Sequence, residues 1–211
     1  LFRSWPALGM GQFMRIVNAP EAIRGTLARV AFEDDLLARL CTGRLTRAAW
    51  IEHVGKRVGA PAAAAERFCD IGVVDPAMLD LIDRVRDAGR PVVILTNGTD
   101  TIPDELCTLG IAPRVDAVFN TAEIGVMKPD PAVYVHVCDQ LQVRPEQVFF
   151  SDDNAHNVAA ACGIGMVARR FEDVERLVDQ RAIEHRAEDT DDFGDVADDA
   201  ELVNPVLPER L

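Results

Sequence analysis

The chain has 211 residues, of which 48% are hydrophobic, and none of its apolar runs approaches the roughly eighteen residues that cross a bilayer. The length and composition predict a soluble protein with one core domain and a sizeable insertion, and argue against a membrane protein. A net charge of −13, without any Lys/Arg cluster interleaved with aromatic residues, argues against nucleic-acid binding.

The cysteines and the acidic C-terminal stretch set two further expectations. The five cysteines are widely spaced and show neither C-x-x-C nor zinc-ligand spacing, so we expect reduced thiols in a cytoplasmic protein. From Ala187 to Leu211, nine acidic residues stand against one basic residue, so this stretch carries −8 of the net charge. Large apolar residues are few there, and residues 187–211 are therefore predicted to be a disordered tail.

The N-terminal part of the chain predicts one helix after another without an intervening strand. Apolar residues recur at intervals of three and four from Ala22 to Val30 and from Leu36 to Cys41. Thr46 is suited to cap a third helix, and Asp75, which precedes a proline, is suited to start a fourth. We therefore assign residues 5–85 to an all-helical subdomain.

From Pro91 onward, short β-branched and aliphatic runs alternate with helical patterns. Such runs are typical of strands that are buried on both faces of a parallel sheet. The predicted strands are Val92–Leu95, Asp116–Phe119, Gln147–Phe150 and Gly165–Ala168. The predicted helices are Asp104–Leu109, Ala132–Leu141, Asn157–Cys162 and Glu172–Arg186. This alternation predicts an α/β fold, with a doubly wound parallel-sheet core over residues 86–186 and the helical subdomain inserted into it.

Thr96, Asn97 and Gly98 follow the first predicted strand, at the edge where ligands of an open parallel sheet bind. They offer an anion a hydroxyl, an amide and a glycine backbone that the anion can approach closely. The same segment, taken alone, is also typical of an ordinary turn between a strand and a helix. A phosphate-binding loop is therefore one of two interpretations of this segment.

Lys128 follows the second predicted strand, and Asp152 and Asp153 follow the third. Taken singly, the lysine could be a solvated surface charge and the two acids could cap the next helix. Together with Thr96, however, these residues emerge from one edge of one predicted sheet and supply what a phosphoryl-transfer site needs. We expect Thr96 and Lys128 to bind phosphoryl oxygens, and the two carboxylates to hold a divalent cation.

Three segments resemble, in order, motifs II, III and IV of the haloacid dehalogenase-like (HAD) hydrolases. They are Ile94-Leu95-Thr96-Asn97-Gly98-Thr99, Gly125-Val126-Met127-Lys128-Pro129-Asp130-Pro131, and Val148-Phe149-Phe150-Ser151-Asp152-Asp153 with Asn157. The helical segment before Pro91 is similar to the all-helical, C1-type cap of one branch of this superfamily. The resemblance implies a Rossmann-like core and a Mg²⁺-dependent phosphatase for a small phosphorylated metabolite. It also implies that Asn157 orients the Asp-Asp loop.

The resemblance also implies a nucleophile that this chain does not contain. The family uses an Asp at the end of its first core strand, in a D-x-D-G-[TV] motif, with the second Asp as general acid and base. Leu1-Phe2-Arg3-Ser4 resembles the residues that follow this motif, so we expect the catalytic strand upstream of Leu1. Because that strand is central in the family, its absence predicts a gap between the strands ending at Leu95 and Phe150. A non-catalytic binding protein is the alternative.

A 2-haloacid dehalogenase of the same superfamily is the enzymatic alternative. That branch acts without a metal and resembles Ser-Ser-Asn-Ala where this chain has Asp152-Asp153-Asn154-Ala155, so the acidic pair favours a metal site. We expect Asp153 to bind Mg²⁺ directly and Asp152 to bind it through water. A monomer and a homodimer are both compatible with the sequence.

Overall fold

The computed structural model describes residues 21–68, 71 and 73–178 of the protein, and of these, residues 21–177 belong to one compact unit. The predicted acidic tail lies outside the described residues, as does the second half of the helix predicted over Glu172–Arg186; residues 174–178 are helical. None of the described helices is long and apolar enough to cross a bilayer.

In the part of the chain that the structure describes, five helices precede the first strand. They are α1 (Glu21–Ala31), α2 (Asp34–Cys41), α3 (Arg47–Val58), α4 (Pro61–Phe68) and α5 (Pro76–Asp87). The side chains of Thr46 and Asp75 accept hydrogen bonds from the amides of Ala49 (3.2 Å) and Ala77 (3.0 Å), so both predicted caps are confirmed. The sequence did not predict α4, because its run of alanines does not distinguish an apolar face from a polar one.

Helices α1 to α4 pack around an apolar cluster of their own. Trp50 and Phe68 are its largest side chains, with ring centroids 4.7 Å apart, and the indole Nε1 donates a hydrogen bond to the Ala31 carbonyl (3.2 Å). The other buried members are Leu27, Val30, Ala31, Leu36, Leu40, Val54 and Ala64. Among the described residues, every buried member of this cluster lies in helices α1 to α4, and we call these four helices the cap.

Strands and helices alternate in the remainder of the described chain. The elements are β1 (Val93–Thr96), α6 (Ile102–Thr108), β2 (Ala117–Asn120), α7 (Thr121–Ile124), α8 (Pro131–Leu141), β3 (Phe149–Asp152), α9 (Ala155–Gly163) and β4 (Val167–Arg170). All four predicted strands are present, each displaced toward the C terminus because it continues into polar residues such as Thr96, Asn120 and Asp152. The predicted α/β class is confirmed.

The four strands form two separate parallel pairs. β1 pairs with β2, with Val93 opposite Ala117 and Thr96 opposite Asn120, and β3 pairs with β4 in the same sense. Within the described part of the chain, β1 and β3 belong to different sheets. No described strand joins the two pairs, and the central strand predicted between β1 and β3 stays a prediction.

Candidate active site

Lys128 joins the carboxyl ends of β1 and β3. Its Nζ donates hydrogen bonds to Asp152 Oδ2 (2.7 Å) and to the Leu95 carbonyl (2.8 Å), and it lies 5.6 Å from the centre of the Phe150 ring. The side chains of Lys128 and Asp152 are only 8% and 9% exposed. The structure thus excludes a solvated surface lysine and places the cation beside one of the two predicted carboxylates.

Asn97 fixes the main chain of Lys128. The Asn97 Oδ1 accepts a hydrogen bond from the Lys128 amide (2.8 Å), and its Nδ2 donates one to the Lys128 carbonyl (2.9 Å). These reciprocal bonds connect the loop after β1 with the loop before α8, whose Lys128–Pro129 peptide bond is cis. Asn97 therefore shapes the site through Lys128, and the phosphate contact predicted for it stays a prediction.

Replacing Asn97 by alanine should lower the free energy of unfolding by about 2 kcal/mol, because both hydrogen bonds to Lys128 are lost in a partly buried loop. Urea denaturation followed by circular dichroism measures the change. Gln140→Ala, at an exposed position of α8, is the control and should shift stability by less than about 0.5 kcal/mol. Equal stabilities for the two variants would show that the Asn97 bonds contribute nothing net.

Asp152 is held by donors from three segments. In addition to Lys128, its Oδ1 accepts hydrogen bonds from the Asn154 amide (2.8 Å) and from Asn157 Nδ2 (3.0 Å). Asn157 is buried, and its carbonyl accepts a hydrogen bond from the Tyr134 hydroxyl (2.9 Å). Burial and the charge of Asp152 both raise the pKa of Tyr134, so the phenol stays a neutral donor. The contact with Asp152 fits the orienting role that the resemblance implies for Asn157.

The N-terminus of α9 is capped by Asn154 and not by the acidic pair. The Asn154 side chain accepts a hydrogen bond from the His156 amide (2.9 Å), which is the usual geometry of an N-cap. The interpretation of Asp152 and Asp153 as helix caps is therefore wrong. Both carboxylates precede the cap, at the point where the chain leaves β3.

Asp153 is the second carboxylate of the predicted pair and directly follows Asp152 in the chain. It is half-buried, and its carbonyl accepts a hydrogen bond from Arg170 Nε (3.1 Å) at the end of β4. Two adjacent carboxylates fit Mg²⁺, which prefers oxygen ligands and usually completes its shell with water and substrate phosphate. Within the described residues, no group of three or more His, Cys, Asp and Glu side chains could hold a metal by itself. The donor set therefore fits Mg²⁺ in kind and requires further oxygen ligands.

Gly98 is required by packing at the start of α6. A Cβ atom on Gly98 would lie 2.4 Å from Ile102 Cγ1 and 2.8 Å from Asn120 Oδ1. Asn120 is almost fully buried, and its Nδ2 donates a hydrogen bond to the Thr99 carbonyl (2.8 Å). Asn120 was not predicted from the sequence, although it follows the apolar run of β2 just as Thr96 follows that of β1.

The protein combines an α/β core and a helical cap with a buried Lys–Asp pair at the carboxyl ends of its parallel strands. These features together define its class. The model of the haloacid dehalogenase-like hydrolase family matches residues 12–165, and the chain belongs to this family of hydrolases. The family membership predicted from motifs II to IV is thereby confirmed.

Relatives with different activities match parts of the chain. (S)-2-haloacid dehalogenase 4A of Burkholderia cepacia is 31% identical over 91 residues, which are 43% of this chain and 39% of that protein. Validoxylamine A 7'-phosphate phosphatase of Streptomyces hygroscopicus subsp. limoneus is 29% identical over 144 residues, or 63% of this chain and 67% of that protein. The chain spans less than half the length of that dehalogenase and of a second one from Pseudomonas.

Solved structures share the fold. A HAD family enzyme of Bacteroides thetaiotaomicron, solved with magnesium and inorganic phosphate, superposes with a TM-score of 0.61 at 17% identity over 76% of this chain and 91% of that one. The L-2-haloacid dehalogenase of Xanthobacter autotrophicus gives a TM-score of 0.56 at 21% identity, over 86% of this chain and 74% of that one. The predicted Rossmann-like core with a helical cap is consistent with both.

Proposed function

We propose that the protein is a Mg²⁺-dependent phosphatase that acts on a small phosphorylated metabolite. The observation that carries the proposal is the buried Lys128–Asp152 pair with Asp153 beside it at the end of β3. A cation paired with one carboxylate, with a second carboxylate on the following residue, suits a phosphoryl group together with the metal that neutralises it. The phosphatases among the relatives, and the family structure with magnesium and phosphate, support this choice.

Lys128 has one donor left for an anion. An ammonium group has three N–H bonds, and Asp152 and the Leu95 carbonyl take two of them within the described part of the structure. The third can donate to a phosphoryl oxygen, and the Thr96 hydroxyl and the backbone around Gly98 can add further donors. Asp153 would hold Mg²⁺ directly and Asp152 through water, since Asp152 already accepts three hydrogen bonds. The metal would neutralise charge on the phosphoryl group.

We further propose that the nucleophile is an aspartate on a strand that inserts between β1 and β3, encoded upstream of this sequence. In the described part of the chain, β1 and β3 belong to different sheets, and this supports the proposal. The carboxylate would attack phosphorus, the alcohol would leave with a proton from a second aspartate, and water would hydrolyse the aspartyl-phosphate. As a whole, the protein would be cytoplasmic and monomeric or homodimeric.

The test uses protein expressed from the open reading frame extended upstream. The purified protein is assayed with and without Mg²⁺. Phosphate release from a generic phosphate ester should require Mg²⁺, and Asp153→Asn should reduce it by about a hundredfold or more, because a metal ligand supplies several kcal/mol of stabilisation. Asp139→Asn, at an exposed position of α8, is the matched control and should leave the rate unchanged.

Two other outcomes would replace the proposal. The similarity to two haloacid dehalogenases makes dehalogenation the second candidate, and metal-independent chloride release from 2-chloropropionate would support it. An upstream sequence without a D-x-D motif, and no activity in either assay, would instead indicate a non-catalytic member of the family.

A further inference from the structure

Residues 41–47, which connect α2 and α3, contact the core loops that build the site. The Cys41 thiol is buried and donates a hydrogen bond to the Asn97 carbonyl (3.5 Å). Gly43 has a φ of +71°, and a Cβ atom there would lie 2.1 Å from the carbonyl oxygen of Ala122 in α7. We call residues 41–47 the seam, because this segment lies directly against the loop after β1 and against α7, which follows β2.

Arg47, at the C-terminal end of the seam, makes the polar contacts between the cap and α6. Its amide donates a hydrogen bond to Asp100 Oδ1 (2.7 Å), and its Nη1 contacts Glu105 Oε1 and Thr101 Oγ1. Its Nη2 donates to the Phe68 carbonyl (2.8 Å) at the end of α4. One guanidinium group thus connects two cap helices with the first turns of α6.

The ion pair between Arg47 and Glu105 is shielded from water. The two side chains are 10% and 11% exposed, so the attraction between them is screened far less than that of a surface pair. Opening the cap would leave Glu105 without this cation while Thr101 Oγ1 still donates to it (2.5 Å). The electrostatic stabilisation lost on opening would come from the boundary between cap and core, because Glu105 belongs to α6 and Arg47 to α3.

We propose that Arg47 is a latch that holds the cap closed over Asn97 and Lys128. The contact of Cys41 with the Asn97 carbonyl marks the closed position, since the thiol reaches the loop that fixes the Lys128 main chain. The proposal rests on contacts between cap and core and does not depend on which reaction the site performs. Substrate access would then require the Arg47–Glu105 pair to separate.

The reactivity of Cys41 reports whether the cap is closed. Burial raises the pKa of the Cys41 thiol to about 11, so both the low thiolate fraction and the covering loop slow its alkylation at pH 8. Cys138 is equally buried but lies in α8, within the apolar cluster of the core. Iodoacetamide labelling of the native protein, with each cysteine peptide quantified by mass spectrometry, therefore separates opening of the cap from global unfolding.

Arg47→Met should accelerate the alkylation of Cys41 by about tenfold or more, with little change at Cys138; tenfold corresponds to about 1.4 kcal/mol of closing free energy. Glu105→Gln, which removes the charge but keeps the shape, should act in the same direction and serves where Arg47→Met does not fold. Arg57→Met is the control, because Arg57 pairs with Glu33 on the exposed surface of the cap.

A steric variant tests the seam without altering charge. Gly43→Ala should also accelerate Cys41 alkylation, because its methyl group would collide with Ala122. Gly59→Ala is the matched control: Gly59 has a φ of +70°, and nothing lies within 4 Å of the point that a Cβ atom would occupy there. An unchanged Cys41 rate in Arg47→Met and Glu105→Gln, or equal acceleration at Cys41 and Cys138, would overturn the proposal.

Discussion

Replacing Lys128 by methionine is expected to lower the free energy of unfolding by about 3–5 kcal/mol, the range seen when one partner of a buried ion pair is removed. Asp152 would remain at a position where only 9% of its side chain is exposed, without the cation that neutralises it. The Leu95 carbonyl would lose its hydrogen bond as well. Urea denaturation at neutral pH measures the difference between the two proteins.

Two further variants distinguish the loss of the Lys128–Asp152 ion pair from the general effect of replacing a lysine by methionine. Lys56→Met removes an exposed lysine whose partner is Glu52, and it should change stability by less than about 1 kcal/mol. The double variant Lys128→Met/Asp152→Asn removes both charges and should be more stable than Lys128→Met alone. A double variant no more stable than Lys128→Met would mean that the buried charge of Asp152 is not the source of the loss.

Replacing Trp50 by alanine is expected to destabilise the cap by about 3–5 kcal/mol. The side chain is 1% exposed, packs against Phe68 and donates to the Ala31 carbonyl, so the variant loses apolar contacts and a hydrogen bond and leaves a cavity. Since the cluster contains only cap residues, helical signal should be lost in a separate transition before the strand core unfolds. Thermal unfolding followed by circular dichroism at 222 nm detects that transition.

Trp50→Phe is the matched control for this prediction. It keeps an aromatic ring in the cluster and removes the indole N–H, so it should cost about 1–3 kcal/mol through the smaller ring and the unpaired Ala31 carbonyl. If Trp50→Ala and Trp50→Phe melt alike, the packing of the indole against Phe68 contributes little to the cap.

Strand positions and helix caps followed from short-range chemistry. The apolar run Val92–Leu95 predicted β1, because such a run must be buried on both faces, and Thr46 predicted the start of α3, because its hydroxyl can accept a hydrogen bond from an amide three residues on. The strand ends were less exact, since Thr96 and Asp152 belong to the ladders although they are polar. A strand ends where its hydrogen-bonding partner ends, and a local pattern does not contain that information.

Residues with a similar preference for helix caps have different roles in the site. Asp152, Asp153 and Asn154 are all good capping residues, but only Asn154 caps α9, because the direction in which the chain leaves β3 turns Asp152 toward Lys128. Arg47 gave no signal in the sequence, since an arginine at the start of a helix is usually solvated. Its burial depends on Glu105 and Phe68, which only the packing of the cap against the core brings within reach.

The sequence by itself determined the alternation of strands and helices, the helical character of the cap, and the membership in the hydrolase family carried by motifs II to IV. These properties depend on local periodicity and on residue types at fixed spacings. The tertiary structure decided how Lys128 is held, that the cap is tied to α6 through Arg47, and that β1 and β3 lie in separate sheets. Each of these depends on partners tens of residues apart, which meet only when the chain has packed.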